Sequence, residues 1–231
     1  MGTVVNEEVN DSKEDDSFYE NAKIYWSKIP ATVDGILGGF GFISKCDLES
    51  SEQFLQSLLI ADNAPGGERA LDCGAGIGRI TKHLLMKFFK TVDLVEQNNE
   101  FLKKVNHYIG ASTKLGKLYC SGLQSFIPEH KYDIIWCQWV LGHLTNEDLV
   151  KFLKICRSSL AENGLIVVKE NVTSTGETEK DTVDYSLTRG LNTLLELFEQ
   201  SDLKIETIQN QTKFPKGLYP VKMIALRSKS D

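Results

Sequence analysis

Apolar and polar positions follow two different periods along this chain. Over residues 17–29 the apolar side chains recur every three or four positions, which is typical of an amphipathic helix that Pro30 ends. From Glu68 onward, short apolar runs alternate with helical patterns, which is typical of a sheet with helices on its faces. The pattern therefore predicts an α/β protein with a helical extension before the sheet.

The individual elements follow from the same pattern. Strands are expected at 68–73, 91–96, 117–120, 132–138 and 164–170. Helices are expected at 48–61, 77–89, 98–109, 146–160 and 188–200. Two late strands, 203–210 and 221–227, have no helix between them, so an antiparallel pair should complete the sheet. The glycine-rich segment 31–43 is expected to be a loop.

Charge is concentrated at the N terminus. The chain of 231 residues carries a net charge of −6, of which residues 1–17 contribute −5 and the remainder only −1. We expect residues 1–16 to form a disordered acidic tail and 17–231 to form one domain, with a helical cover over about 17–61. A near-neutral domain argues against a nucleic-acid partner, because such binding needs clustered Lys and Arg.

Cysteines and apolar runs bear on the compartment. The five cysteines are scattered without a C-x-x-C pair, which is typical of a reducing compartment. No apolar run approaches the length of a membrane span, so no membrane partner is expected. No histidine has a His or Cys partner at metal-ligand spacing, so no metal is expected. The predicted location is the cytoplasm, with the nucleus as a second location.

A glycine-rich turn carries the strongest chemical signal. The string LDCGAGIGR over residues 71–79 reads as a strand that enters a turn and opens a helix, where glycines let backbone approach a ligand. Glu96 ends the next strand, where a carboxylate can bind ribose hydroxyls. The spacing G-x-G-x-G after Asp72 differs from the dinucleotide motif G-x-G-x-x-G. An NAD site and a ligand-free turn are the alternatives.

The form D-x-G-x-G-x-G resembles motif I of the seven-strand S-adenosylmethionine (SAM) methyltransferases. This resemblance implies a Rossmann-like sheet and SAM as cofactor. Arg79 is then expected to pair with the carboxylate of SAM, and Gln138, at a strand end, to face its methionine moiety. The third strand of this fold borders the adenine, where Gly122, Leu123 and Gln124 lie.

Three further segments are more specific than a general methyltransferase pattern. They are TVDGILGG at 32–39, WCQWVLGHL at 136–144, and VKEN at 168–171 with DTVDYS at 181–186. Together with the glycine turn they resemble the eukaryotic protein N-terminal methyltransferases, which modify the α-amine of an Xaa-Pro-Lys start. The resemblance covers about residues 17–228, although 172–180 match no pattern of the family.

The resemblance implies a set of site residues and partners. The expected SAM-binding residues are Gly74, Gly76, Arg79, Glu96, Gly122, Leu123, Gln124 and Gln138. The expected peptide-binding residues are Trp26, Leu37, Trp139, Asn171, Asp181, Asp184, Ser186 and Tyr219. The expected catalytic residues are Asp184, His143 and Asn171. The implied partners are proteins with Xaa-Pro-Lys N termini, among them ribosomal and chromatin-associated proteins.

The chemistry of the reaction agrees with the catalytic residue types. An α-amine has a pKa of about 7.7–8.0, so roughly nine in ten are protonated and non-nucleophilic at pH 7. A carboxylate such as Asp184 and an imidazole such as His143 are suited to accept that proton, with Asp184 the main acceptor. Asn171 is expected to bind the carbonyl of the first substrate residue.

The substrate side chains call for two different pockets. A lysine at the third position needs a carboxylate, which Asp181 supplies with help from Ser186. A proline at the second position needs an apolar, aromatic slot, which suits Trp139 and Leu37.

Each of these residues also has an ordinary structural interpretation. Trp26, Trp139 and Tyr219 are core aromatics in that case, His143 is a surface histidine, and 177–184 is a solvated loop. Two functional alternatives remain at this stage: a SAM methyltransferase for an internal lysine or a small molecule, and a SAM-binding module without catalysis. The number of methyl groups added is also open.

Overall fold

The computed structural model describes residues 8–229, and its first element is α1, Glu8–Ser27. The amphipathic pattern predicted this helix only from residue 17, with a disordered tail before it, so 8–16 are helical where disorder was expected. The rest of the predicted tail, residues 1–7, lies outside the described part of the chain.

The segment between α1 and the sheet is more regular than expected. It contains the short helix α2, Val33–Ile36, a 3₁₀ turn at Gly41–Ile43, and α3, Ser44–Leu59. The segment 31–43, predicted to be a loop, is therefore partly helical. The Thr32 side chain stabilises this conformation, because its hydroxyl accepts a hydrogen bond from Gly35 N at 3.0 Å.

The expected succession of strands is confirmed. Strands β1 to β5 are Arg69–Cys73, Thr91–Glu96, Leu115–Cys120, Tyr132–Gln138 and Leu160–Asn171. A small hairpin, absent from the prediction, pairs β6, Glu179–Lys180, with β7, Leu187–Thr188. Strands β8, Leu203–Asn210, and β9, Val221–Ser228, form the expected antiparallel pair.

The sheet order places the site. Seven strands run in the order β3-β2-β1-β4-β5-β9-β8, parallel except for β9, which is antiparallel to both neighbours. The order reverses between β1 and β4, and ligands of such sheets bind outside the carboxyl ends of the strands at that point. This is the predicted seven-strand Rossmann-like methyltransferase sheet with an N-terminal helical extension.

Helices cover both faces of the sheet. The remaining helices are α4, Met86–Phe88, α5, Asn99–Ile109, α6, Asn146–Ser158, and α7, Leu191–Gln200. One core cluster joins Leu71 to Phe152 of α6, and the other joins Ala70 to Phe54 of α3. Successive residues of a strand point to opposite faces of the sheet, so both faces of β1 are buried, each in its own cluster. Within residues 8–229, no helix is long and apolar enough to cross a membrane.

Two element boundaries differ from the prediction for local reasons. The helix expected at 77–89 contains a π-helical turn at Thr81–Leu85 before α4, in which Met86 N donates to Thr81 O. Strand β5 begins at Leu160 rather than 164, since Tyr132 N already donates to Ser159 O at 2.8 Å.

Candidate active site

A cavity lies at the carboxyl ends of β1, β2 and β4, with α1 and α2 forming part of its wall. All the predicted cofactor residues line it, namely Gly74, Gly76, Arg79, Glu96, Gly122, Leu123, Gln124 and Gln138. The cavity therefore brings together residues that are far apart in the sequence. Their individual roles toward SAM remain predictions.

The turn after β1 requires glycine at position 74. Gly74 has φ +65°, and a Cβ there would lie 2.4 Å from Val140 Cγ2. Gly74 N and Ala75 N both donate to Val95 O, at 2.9 and 3.1 Å, so the turn is fixed to β2. This geometry leaves the backbone of the turn open to the cavity.

Glu96 is held against the same turn. Its Oε2 accepts from Gly76 N at 2.9 Å and its Oε1 accepts from Asn98 N at 2.8 Å. Burial raises the pKa of the Glu96 carboxyl, while these backbone hydrogen bonds act in the opposite direction. A carboxylate has further lone pairs beyond these two bonds, so Glu96 can also accept from ribose hydroxyls.

Asp72 has a different role in the turn. Its Oδ2 accepts from both Thr81 N, at 2.9 Å, and Thr81 Oγ1, at 2.6 Å. Burial raises the pKa of Asp72 to about 6. The carboxyl group thus ties the end of β1 to the following helix and holds the glycine turn between them.

Three charged side chains meet in the interior behind the cavity. Asp47 Oδ2 accepts from Arg79 Nη1 at 2.7 Å, and Asp47 Oδ1 lies 2.5 Å from Lys169 Nζ. Gln138 Nε2 donates to the same Oδ1 at 2.8 Å. Burial lowers the pKa of Lys169, and the negative charge of Asp47 opposes this effect. Asp47 carries one negative charge and Arg79 and Lys169 carry one positive charge each, so the cluster has a net charge of +1.

A second cavity forms a groove beside the first. It is lined by all the predicted peptide-binding residues, Trp26, Leu37, Trp139, Asn171, Asp181, Asp184, Ser186 and Tyr219. Both cavities share a wall made by Trp26, Ile36, Leu37, Trp139 and His143. A ligand in the groove and a ligand in the first cavity would therefore come closest to each other at these five residues.

Trp139 stands in this shared wall in a strained conformation. Its φ is +52°, which is uncommon for a bulky residue and typical of functional sites. Trp139 N donates to Lys169 O at 3.0 Å, so β5 holds the residue in place. Its indole Nε1 is buried without a hydrogen-bond partner among the described residues. Trp139 lines both cavities.

His143 stands next to it and contacts α1. Its Nε2 accepts from Trp26 Nε1 at 3.1 Å, and the two rings meet edge to face. Nδ1 is buried and has no hydrogen-bond partner in the part of the chain that is described. Burial lowers the pKa of His143, and the charge of Asp184 acts against it.

The turn that carries His143 is fastened by buried charges. Glu170 Oε1 accepts from Val140 N and Leu141 N, each at 2.8 Å. On the other side, Arg189 donates to Leu141 O at 2.9 Å and to Leu144 O. Burial raises the pKa of Glu170 to about 7. The position of the His143 ring therefore depends on Glu170 and Arg189, which hold its turn from two other segments of the chain.

The acidic residues of the groove lie on the unpredicted hairpin. Asp181 Oδ1 accepts from Val183 N at 2.6 Å, and Asp184 Oδ1 accepts from Ser186 N at 2.9 Å. These bonds hold 181–186 in a turn, and residues 181–183 of that turn are exposed to solvent. Tyr219 is 42% exposed and donates to Glu179 Oε2 at 2.6 Å, so it is not a core aromatic.

Comparison with known proteins decides the family. The profile of the family described as AdoMet dependent proline di-methyltransferase matches residues 14–227. The chain belongs to this family. It is 48% identical over 218 residues to N-terminal Xaa-Pro-Lys N-methyltransferase 1-B of Xenopus laevis, covering 93% of this chain and 97% of that one. A Drosophila melanogaster alpha N-terminal protein methyltransferase 1 is 45% identical, covering 91% and 76%.

Solved structures agree with this assignment. A SAM-dependent methyltransferase from Leishmania major superposes with a TM-score of 0.85 and 38% identity, covering 91% of this chain and 83% of that chain. The glycopeptide N-methyltransferase MtfA, solved in complex with SAM, has a TM-score of 0.64 and 11% identity, covering 79% and 87%, and shares the fold alone. This member of the family is therefore a SAM-dependent methyltransferase.

The residues present fit SAM as cofactor. The glycine turn is open to the cavity, Glu96 faces it, and the surplus positive charge around Arg79 suits the carboxylate of an amino-acid tail. No group of three or more His, Cys, Asp or Glu side chains within residues 8–229 is arranged to hold a metal ion.

Sequence reasoning missed Asp47 and Lys169. Asp47 shares the buried face of α3 with Ser51, Phe54 and Leu58, so helical spacing would have revealed a charge on an apolar face. Lys169 lies in the otherwise apolar strand run of β5 and is fully buried. A charged residue at either position indicates a buried partner.

Proposed function

We propose that this methyltransferase transfers a methyl group from SAM to the α-amine of protein N termini that begin Xaa-Pro-Lys. The observation that carries the proposal is the wall shared by the two cavities, with Trp139 and His143 between them. An amine in the groove meets a methyl donor in the cofactor cavity only at that wall. The names of the relatives support the same substrate.

SAM, when bound, supplies the methyl group on a sulfonium, so that an N–C bond forms as the C–S bond breaks. The chain's own residues hold the cofactor in this proposal. Glu96 accepts from the ribose hydroxyls, and Arg79 binds the tail carboxylate with Gln138 beside it. Asp47 keeps both Arg79 and Gln138 in place through its two oxygens.

Proton removal is the task of the groove residues. The α-ammonium of the substrate must lose a proton before its nitrogen has a free lone pair. Asp184 is suited to accept it, because a carboxylate attracts the ammonium and Asp184 lines the groove with His143. His143 lies in the shared wall next to the groove, and Asn171, at the end of β5, binds the carbonyl of the first residue.

The remaining groove residues account for the substrate sequence. Trp139 and Leu37 form an apolar slot for proline, and Trp26 lines the same groove. Asp181 is exposed at the groove and pairs with the lysine, with Ser186 beside it. Tyr219 completes the rim of the groove, anchored by Glu179.

Mass spectrometry of short peptides tests the proposal. A peptide that starts Xaa-Pro-Lys should gain methyl groups in the presence of SAM, and the modification should map to its first nitrogen. The same peptide with an acetylated first nitrogen is the matched control and should gain none. Methylation of the acetylated peptide would instead support an enzyme for internal lysines, and no methylation of either would favour a small-molecule substrate.

We also propose that the cellular partners are proteins with such N termini, including ribosomal and chromatin-associated proteins, and that the enzyme acts in the cytoplasm and the nucleus. The resemblance to the N-terminal methyltransferases supports the partners, and the scattered cysteines, which are typical of a reducing compartment, support the location. Fractionated cells lacking the enzyme provide the test, since both fractions should then contain unmethylated Xaa-Pro-Lys N termini.

A further inference from the structure

The contact between Trp26 and His143 determines which ring nitrogen carries the proton. An indole has one polar hydrogen, on Nε1, and accepts no hydrogen bond at that atom. Since Trp26 Nε1 lies 3.1 Å from His143 Nε2, the imidazole nitrogen must be the acceptor. An acceptor nitrogen carries no hydrogen, so the hydrogen of a neutral His143 must be on Nδ1.

The other ring nitrogen of His143 is in a different environment. Nδ1 is buried, and no described residue forms a hydrogen bond with it. A buried donor without an acceptor is unfavourable, and such groups in native proteins call for an explanation. His143 lines both cavities, and the groove that would hold the peptide is one of them, so an oxygen of a bound peptide can supply the missing acceptor once the ring meets it.

Burial favours the neutral form of the His143 ring. The negative charge of Asp184, on the hairpin, raises the pKa of His143, but burial lowers it by more. The other charged groups are occupied with backbone atoms: Glu170 accepts from Val140 N and Leu141 N, and Arg189 donates to carbonyls on both sides of the turn.

We propose that Trp26 is a positioning residue that keeps His143 in its Nδ1–H tautomer, so that His143 donates a hydrogen bond to an acceptor oxygen of the bound peptide and Asp184 alone takes the ammonium proton. The identity of the acceptor rests on the proposed function, whereas the tautomer does not. This refines the expectation that His143 assists in deprotonation: with Nε2 occupied and Nδ1 protonated, it has no lone pair to offer the substrate.

Nuclear magnetic resonance of histidine-labelled protein, without SAM or peptide, tests the tautomer directly. The ring carbon and nitrogen chemical shifts of His143 should be those of the Nδ1–H form in the wild type. In Trp26→Phe, which keeps an aromatic ring but removes the donor, the Nε2–H form should become populated. Phe101→Leu is the matched control, because Phe101 packs against the Trp26 ring at 6.5 Å without bonding its nitrogen.

Activity provides a second readout for the same proposal. His143→Asn retains an N–H donor near Nδ1 but has no basic nitrogen, whereas His143→Leu has neither. If His143 acts as a donor, kcat of the Asn variant should exceed that of the Leu variant by at least about fivefold, the equivalent of about one hydrogen bond. SAM affinity, measured by calorimetry, should agree between the two variants.

Two results would overturn the proposal: an Nε2–H tautomer in the wild type, or equal kcat values for the Asn and Leu variants. An unchanged tautomer in Trp26→Phe would remove Trp26 from the argument. These results can be distinguished from an error in the proposed substrate, because the chemical shifts of His143 are recorded without substrate. In that case the Nδ1–H form would still be observed while Xaa-Pro-Lys peptides stay unmethylated.

Discussion

Asp47 Oδ2 and Arg79 Nη1 lie 2.7 Å apart, and both side chains are almost completely buried. The pair joins α3 to the helix that follows the glycine turn, and Lys169 of β5 meets the same carboxylate. The cofactor cavity thus rests on one carboxylate that holds two cations from different segments. Removal of its charge leaves the buried Arg79 and Lys169 without this counter-charge.

Asp47→Asn should therefore destabilise the protein strongly. Breaking a buried ion pair from one side costs about 3–5 kcal/mol, because the remaining charge is left uncompensated. Glu52→Gln is the control, since its pair with Lys87 is partly exposed and contributes at most about 1 kcal/mol. Urea unfolding of both variants measures the difference, and similar losses would argue against a special role for the buried cluster.

Gly74→Ala should weaken SAM binding at least about tenfold. The added Cβ would lie 2.4 Å from Val140 Cγ2, so the turn or the neighbouring residues must move into the cavity. Gly110→Ala controls for backbone strain, because Gly110 also has a positive φ, +83°, but no atom within 4 Å of the added Cβ. Calorimetry with SAM should show a loss for the first variant only.

Asp181→Asn should weaken binding of a peptide with lysine at its third position by about 1.5–3 kcal/mol, the value of a charge-assisted hydrogen bond. The amide oxygen of Asn can still accept from Val183 N, so the turn is preserved while the charge is lost. A peptide with glutamine at the third position should bind the variant almost as well as the wild type. Equal losses for both peptides would show that Asp181 does not bind the lysine.

Asp184→Asn should lower kcat at least about a hundredfold at pH 7, since general-base catalysis contributes about 10²–10⁴-fold. SAM should still bind, because Asp184 lines only the groove. The dependence of kcat on pH distinguishes a general base from a residue that only positions the amine. If Asp184 only positions an amine that loses its proton in solution, activity should recover at about pH 9.5, where the free amine predominates. Recovery to within a fewfold of wild type would leave Asp184 as a binding residue.

Glu170 should make stability fall as pH rises. Its pKa is raised from 4.5 to about 7 in the folded protein, so between these values the folded state holds a proton that the unfolded state has lost. The stabilising contribution is complete below about pH 4.5 and is lost through about pH 7, a change of about 3 kcal/mol at most. The difference in unfolding free energy between wild type and Glu170→Gln should decline over this range. A constant difference would contradict the raised pKa.

Local patterns account for most of the fold that the sequence predicts. Strands β1, β2, β4, β8 and β9 were expected within a few residues, because short apolar runs between turn residues are local signals. The hairpin of β6 and β7 was not expected, since its two-residue strands carry no periodicity and depend on Asp181 and Asp184 bonding the backbone between them.

The sequence by itself determined the glycine turn, the order of strands and helices, and the residue types of the site, because each depends on neighbours within one segment. Only the tertiary structure decided which charges meet. Asp47 and Lys169 are 122 residues apart, and Trp26 and His143 are 117 apart. Partners at such separations are chosen by the packing of whole elements, so the buried cluster and the tautomer of His143 have no signal in the local pattern.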